Sequence, residues 1–254
     1  MAKKTHTDTA LINNFATRCF RDRADADYIA ARLCYRNGLV EHFQWSALQA
    51  LEKYFKAIFL YNRLKAKKIG HRLDKALNKS KDLKFHLKLS DETIGFIEHI
   101  NGMGRFRYLE VSYFTHGPKL YELDTAVWEV RRYCHYLDYD IELPDGTKKN
   151  MLDVEIKRIE ASLDTLPSKF SIIGGKLERI IEDKGNSLRP ALIWQNRHFA
   201  PFGRRSIRAL EYSMSENAPF YLHPEVMDLV IDYVVVPDDV EKAFRKSYED
   251  NKTL

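Results

Sequence analysis

A guanidinium can hold negative charge on a phosphate, and an imidazole can carry a proton to or from an oxygen near neutral pH. Arginine and histidine at short spacing are therefore the first groups to consider. The run Arg36-Asn37-Gly-Leu-Val-Glu-His42 leaves five residues between the two. Arg131 and His135 lie four apart, a spacing that puts both on one helix face, with Arg132 alongside. Each pair also has a structural reading. Arg36 would close a helix and complement its dipole, with His42 near the start of the next. Arg131 and His135 would form an exposed polar face opposite Val127, Val130 and Cys134.

Candidate phosphate or nucleotide contacts are more numerous. Lys53 and Lys56 share a polar stripe with Gln49 and Glu52, in which Glu52 and Lys56 have the four-residue spacing of a helical ion pair. His71 follows a glycine and can cap or anchor the helix after it. Arg105 and Arg107 adjoin Tyr108, where they could contact phosphate or brace the fold. Trp194-Gln-Asn-Arg197-His198-Phe199, with Arg204, Arg205 and Arg208 soon after, interleaves basic and aromatic residues. Such a mixture can stack bases and hold phosphates, and it also occurs in ordinary helix contacts. The basic run Arg63-Leu-Lys-Ala-Lys-Lys68 reads as a solvated helix end or loop.

Other chemistries find no footing. The sequence holds no phosphate-binding G-x-x-x-x-G-K-[ST] loop, no H-E-x-x-H, no Cys/His cluster with zinc spacing and no G-x-S-x-G elbow. No metal and no cofactor is expected. The chain has 254 residues, 44% hydrophobic and 30% charged, the composition of an ordinary folded protein. Its net charge of +5 permits nucleic-acid contact without demanding it. No apolar run reaches the ~20 residues that cross a bilayer, and the N-terminus lacks the apolar stretch of a signal peptide. Cys19, Cys34 and Cys134 are odd in number and form no C-x-x-C, which reads as buried thiols in a reducing cytoplasm.

The elements that must position these groups are helical. Residues 1–21 read as a polar lead-in. Asp22 or Asp25 can start a helix carrying Tyr28, Ala31 and Tyr35, which Asn37-Gly38 ends. The next, over 43–62, puts Leu48, Leu51, Phe55, Ile58 and Phe59 on one face. A shorter helix runs through Leu73 and Leu77, and another from Ser90 through Ile94, Ile97 and Ile100 to Asn101-Gly102. Residues 105–114 read as extended or irregular. Leu123, Val127, Val130, Cys134 and Leu137 predict an amphipathic helix over 121–137. Pro144-Asp-Gly146 marks a turn, the tip of a small hairpin. Further helices are expected at 151–162, 175–183, 188–197, 224–233 and 238–248. The fold class is all-α: a bundle over 22–140 with a mostly helical extension over 150–254 that packs on it.

Together, Phe43-x5-Gln49-Ala-x-Glu-Lys-x-x-Lys-Ala57, the later Gly70-His71-x-Leu73, Arg107-Tyr108 and Val130-Arg-Arg-Tyr-Cys134 resemble the HEPN (higher eukaryotes and prokaryotes nucleotide-binding) domain over residues 22–140. The resemblance implies an antiparallel helical bundle that commonly forms a homodimer. It implies an RNA-directed role of toxin or phage-defence type, some members being metal-independent endoribonucleases. The alternative is a non-catalytic module that binds a nucleotide or a partner such as a nucleotidyltransferase-like antitoxin. Ribonuclease members carry Arg, often a polar residue next, then His after four to six intervening positions, and two copies meet at the dimer interface. Arg36 and His42 match that spacing but lie between the first two helices, whereas the family's motif belongs to a later one. Arg131 and His135 lie in the expected helix, with three residues between them.

Overall fold

Thr7 starts the first helix: its Oγ1 accepts the Ala10 N–H at 3.2 Å. The computed structural model describes residues 7–67, 69–103, 113–162, 173–199, 214–216, 220, 223–236 and 238–252. Helix α1 (Asp8–Phe15) passes through a π-helical turn, Ala16–Arg21, directly into α2 (Asp22–Arg36). The lead-in expected over residues 1–21 is therefore helical from Asp8 onward, and Asp22 continues a helix instead of starting one. The wider π turn adds a residue to the repeat. It lets Ala16 and Arg21 both face inward, while Cys19, predicted buried, is exposed. Cys34 is half-buried, and Cys134 alone matches the buried-thiol expectation.

The chain reverses at Asn37–Leu39. Gly38 sits at φ 74°, in the left-handed region that favours glycine. The Leu39 N–H returns to the Cys34 carbonyl at 2.9 Å. Helix α3 (Val40–Tyr61) then runs back along α2. Leu48, Leu51, Phe55, Ile58 and Phe59 are fully buried, as their spacing predicts. The opposite stripe is less polar in its surroundings than expected, since Glu52 is itself buried.

Helices α4 (Leu73–Ser80) and α5 (Asp91–Met103) form a hairpin against α3. Asn101 Oδ1 accepts the Leu73 N–H at 2.8 Å, so Asn101, and not His71, caps α4. Helix α6 (Lys119–Arg131) packs on α5 and α3. It ends six residues before the expected boundary at 137. Cys134 and Leu137 are still buried, but the turn after Arg131 carries them inward instead of a continuing helix.

Two small antiparallel pairs accompany the helices. Strand β1 (Tyr113–Thr115), in the segment expected to be extended or irregular, pairs with β4 (Met214–Glu216). Strands β2 (Asp140–Glu142) and β3 (Lys148–Asn150) form the hairpin predicted from Pro144-Asp-Gly146. Helices α7 (Leu152–Ala161), α8 (Lys176–Glu182) and α9 (Arg189–Ile193) follow. The last is shorter than the 188–197 expected. A short turn of helix, Met227–Val230, and a longer one, Asp238–Lys252, come last. Ile159, Leu177, Ile180, Ala191, Leu192 and Phe199 belong to the same apolar core as Leu51 and Phe55. Phe220, Met227, Val236 and Val240 form a separate small cluster. The architecture is helical, as its periodicity predicts.

Candidate RNA-facing ridge

Two buried arginines of the bundle hold the 175–199 segment in place. Arg32, on α2, is fully buried and ion-paired with Asp124 of α6. Its Nε donates to the Ala191 carbonyl at 3.0 Å, and a second nitrogen donates to the Trp194 carbonyl. Tyr28 Oη donates to Asp124 at 2.6 Å and accepts from Asn196 Nδ2 at 2.8 Å. Burial raises the Asp124 carboxyl, while the Arg32 charge beside it pulls the other way.

Arg131, at the end of α6, forms the second clamp. Its guanidinium meets Asp25 at 2.7 and 3.0 Å and Glu178 of α8 at 2.7 and 2.8 Å. Tyr54 Oη donates to the same Asp25 at 2.7 Å. Glu178 Oε2 also accepts the Gly175 N–H at 2.8 Å, the first contact of α8. Despite its burial, the Arg131 charge holds the Glu178 carboxyl down at about 2.

These contacts correct the reading of Arg131 and His135 as an exposed polar face, and they weigh against the pair as catalytic. Arg131 spends its fork on two carboxylates inside the protein and has no face to offer a phosphate. His135 lies past the end of α6, so the four-residue helical spacing does not apply. Its Nε2 is buried without a hydrogen-bond partner among the described residues, and burial lowers the imidazole to about 4.

The α3 stripe is also paired. Lys53 bonds to Asp27 and Lys56 to Glu52. His71 Nδ1 lies 2.7 Å from Glu52 Oε2, with the His71 side chain 63% exposed and that of Glu52 only 4%. Gly70, at φ 57°, makes the bend that delivers His71 to α3. Each cation expected to contact nucleotide here already faces a carboxylate, so the stripe carries little unbalanced charge.

What remains open is the edge where α2 ends and the 194–199 turn crosses it. Arg36 and His42 are both exposed on either side of the three-residue turn 37–39. Among the described residues no carboxylate pairs with Arg36, and no polar group bonds the His42 side chain. The Arg36 guanidinium lies over the Trp194 ring, 5.2 Å from its centroid. Arg197 is exposed too, donating to Tyr121 Oη at 2.6 Å and covering that ring at 5.9 Å. His198 stacks on Trp128 at 6.0 Å and reaches Thr125 Oγ1 at 3.2 Å.

The turn is strained and tightly braced. Gln195 adopts φ 49°, an uncommon left-handed conformation for a residue with a side chain. Buried Asn196 sustains it: Nδ2 donates to the Leu192 carbonyl, and Oδ1 accepts the His198 and Phe199 N–H groups at 3.0 and 2.9 Å. The structure thus joins two candidates that are far apart in sequence, Arg36 with His42 and the Trp194–Arg197 patch. Sequence reasoning missed Arg32, Asp124 and Asn196, which build this turn. Their signal was a charged or amide group at an apolar-face position, as with Arg32 four residues after Tyr28 and Asp124 next to Leu123. Arg105, Arg107, Arg204 and Arg205 lie outside the described residues.

Burial also makes the histidines acid-sensitive. His135 and His99 are lowered to about 4, and His198 to about 3. The unfolded chain takes up these protons near the ordinary value of ~6.5, before the folded one does. Stability conferred by the neutral rings is therefore complete above that value and is lost as pH falls toward 4. The midpoint of urea unfolding should decline from pH 7 to pH 4.5. Replacing His135 and His198 together with Gln should flatten that decline, and an unchanged slope would contradict the assignment.

A family model described as the HEPN domain matches residues 17–132. No curated protein and no solved structure matches the chain. Among the described residues no helix is long and apolar enough to cross a membrane, and no three His, Cys, Asp or Glu gather as metal ligands.

Proposed function

We propose that this protein, whose residues 17–132 match a model of the nucleotide- and RNA-related HEPN domain, acts on RNA along the Arg36–Trp194–Arg197 ridge. The observation that carries the reading is the pair of exposed guanidiniums stacked on aromatic rings, with no carboxylate among the described residues paired to either. A guanidinium laid on an indole keeps its N–H edge free for phosphate and its outer face free for a base. His42, across the turn from Arg36, supplies a proton carrier beside the bound backbone. In this reading the protein is a metal-independent endoribonuclease of toxin or phage-defence type. It works as a homodimer in which two Arg36/His42 sets meet, and a nucleotidyltransferase-like protein serves as its antitoxin.

A second reading is favoured by the burial of Arg131. With that guanidinium consumed in the core, the closing helix lacks the cation a ribonuclease would place there. The domain would then bind RNA, a nucleotide or a protein partner without cleaving.

Fluorescence anisotropy of a labelled RNA oligonucleotide tests the ridge. Arg36→Ala and Trp194→Ala should each weaken binding by about tenfold, the loss of one stacking contact. Lys53→Ala should leave it near the wild-type value, since that cation is already paired with Asp27. The reverse pattern would move the RNA onto the α3 stripe.

A further inference from the structure

A groove of about 520 Å³ lies between α4, α5 and the segment joining them, remote in sequence from the ridge. That volume suits a small organic ligand. Its floor is apolar, made by Leu77, Leu89, Ile94 and Ile97. Leu77, Leu89 and Ile94 are only partly buried, so the floor is open to a ligand.

The ends of the groove carry opposite charge. The Leu73–Asn101 hydrogen bond sets the start of α4 beside the end of α5. Asp74 and Glu98 line the groove toward that end. Asp74 is already satisfied, because Arg72 grips its carboxylate at 2.8 and 2.5 Å and holds it at about 2. Glu98 is exposed and has no ion-pair partner among the described residues. Toward the other end, where α4 gives way to the connecting segment, stand Lys81 and His86. Among the described residues Lys81 Nζ bonds only to the neutral Asn78 Oδ1, at 3.1 Å.

We propose that this groove binds a small zwitterion with an apolar body, of the size and chemistry of a short aliphatic peptide with free ends. Its ammonium meets Glu98, its carboxylate meets Lys81 and His86, and its side chains cover Leu77, Ile94 and Ile97. An apolar floor alone would accept many greasy molecules. An unpaired carboxylate and an unpaired ammonium on either side of it favour a ligand carrying both charges, in the right order, because such a ligand makes two charge-assisted contacts that a neutral one forgoes.

Trileucine is the probe, titrated calorimetrically into the full-length protein beside its N-acetyl form and its C-terminal amide. Trileucine should bind saturably, and each capped form about tenfold more weakly, as expected for one lost charge-assisted contact. Glu98→Gln should weaken trileucine by a similar factor and abolish the penalty for acetylation. Lys81→Met should do the same for amidation. Both residues are exposed, so neither variant threatens folding. No saturable binding at millimolar peptide would overturn the proposal. So would equal binding of free and capped forms, or unchanged affinity in both variants.

Discussion

Replacing Arg131 with Met should lower the stability of the protein by about 3–5 kcal/mol, the cost of breaking a buried ion pair from one side. The wild-type guanidinium meets two carboxylates at once, with its side chain 2% exposed. Methionine keeps much of the volume and removes all of the charge. Among the described residues Asp25 would retain the Tyr54 hydroxyl as its close side-chain partner, and Glu178 the backbone N–H groups at the start of α8. In a chain of this length the loss corresponds to roughly 10 °C in the unfolding midpoint. Calorimetry or urea unfolding reads it directly. Arg36→Ala is the matched control, an exposed arginine whose loss should cost no more than about 0.5 kcal/mol. Adding Glu178→Gln to Arg131→Met should recover part of the deficit, because it removes one of the two orphaned charges. An Arg131→Met protein as stable as wild type would mean that Asp25 and Glu178 are solvated and the clamp is not closed.

The same clamp has a pH signature. Arg131 depresses the folded-state Glu178 carboxyl to about 2, below its ordinary value. A depressed carboxyl contributes stability that is fully present above ~4.3, and that contribution is lost as pH falls through the folded value. The acid weakness of the buried histidines begins higher, so the two effects occupy successive windows. The 175–199 segment carries both Glu178 and the turn that supports Trp194. Acid should therefore weaken the support of the ridge together with the bundle on which it packs.

Legibility in the sequence followed the kind of force at work. Helices α3 and α5 could be read because dense apolar periodicity leaves little choice of face. The 119–131 helix was overextended because Cys134 and Leu137 are buried through a turn that happens to keep the same spacing. Helix α1 was missed since it carries no buried residue and only its Thr7 cap announces it. The candidate ridge was half legible. Arg36, His42 and the Trp194–Arg197 patch could be picked out by residue type. Their meeting depends on Arg32 reaching two backbone carbonyls more than 150 positions away, and no local pattern encodes that. Conversely, Arg131 looked like a surface residue because its partners, Asp25 and Glu178, come from opposite ends of the chain.

Incubated with RNA in the presence of EDTA, the wild-type protein should cleave, and His42→Ala should cleave at least about 100-fold more slowly, the usual worth of a positioned acid–base group. The step needs no metal. An imidazole takes the proton of a ribose 2′-OH as that oxygen attacks the adjacent phosphorus. The imidazolium then gives that proton to the departing 5′-oxygen, leaving a 2′,3′-cyclic phosphate and a 5′-hydroxyl. Charge gathers on the non-bridging oxygens, where Arg36 can meet it. Arg36→Ala should cost a comparable factor, and Arg36→Lys should not restore the rate, since an ammonium cannot both lie flat on Trp194 and present a fork to phosphate. His135→Ala should leave cleavage unchanged, because that ring is enclosed and uncharged near neutrality. If cleavage survives in His42→Ala, the proton carrier lies elsewhere. If wild type fails to cleave while Arg36→Ala still loses RNA affinity, the ridge is a binding surface and the domain a non-catalytic one. The arrangement at Arg36 serves either outcome, because stacking on Trp194 fixes a guanidinium at the surface without neutralising it. The His42→Ala variant is therefore the measurement that separates holding RNA from cutting it.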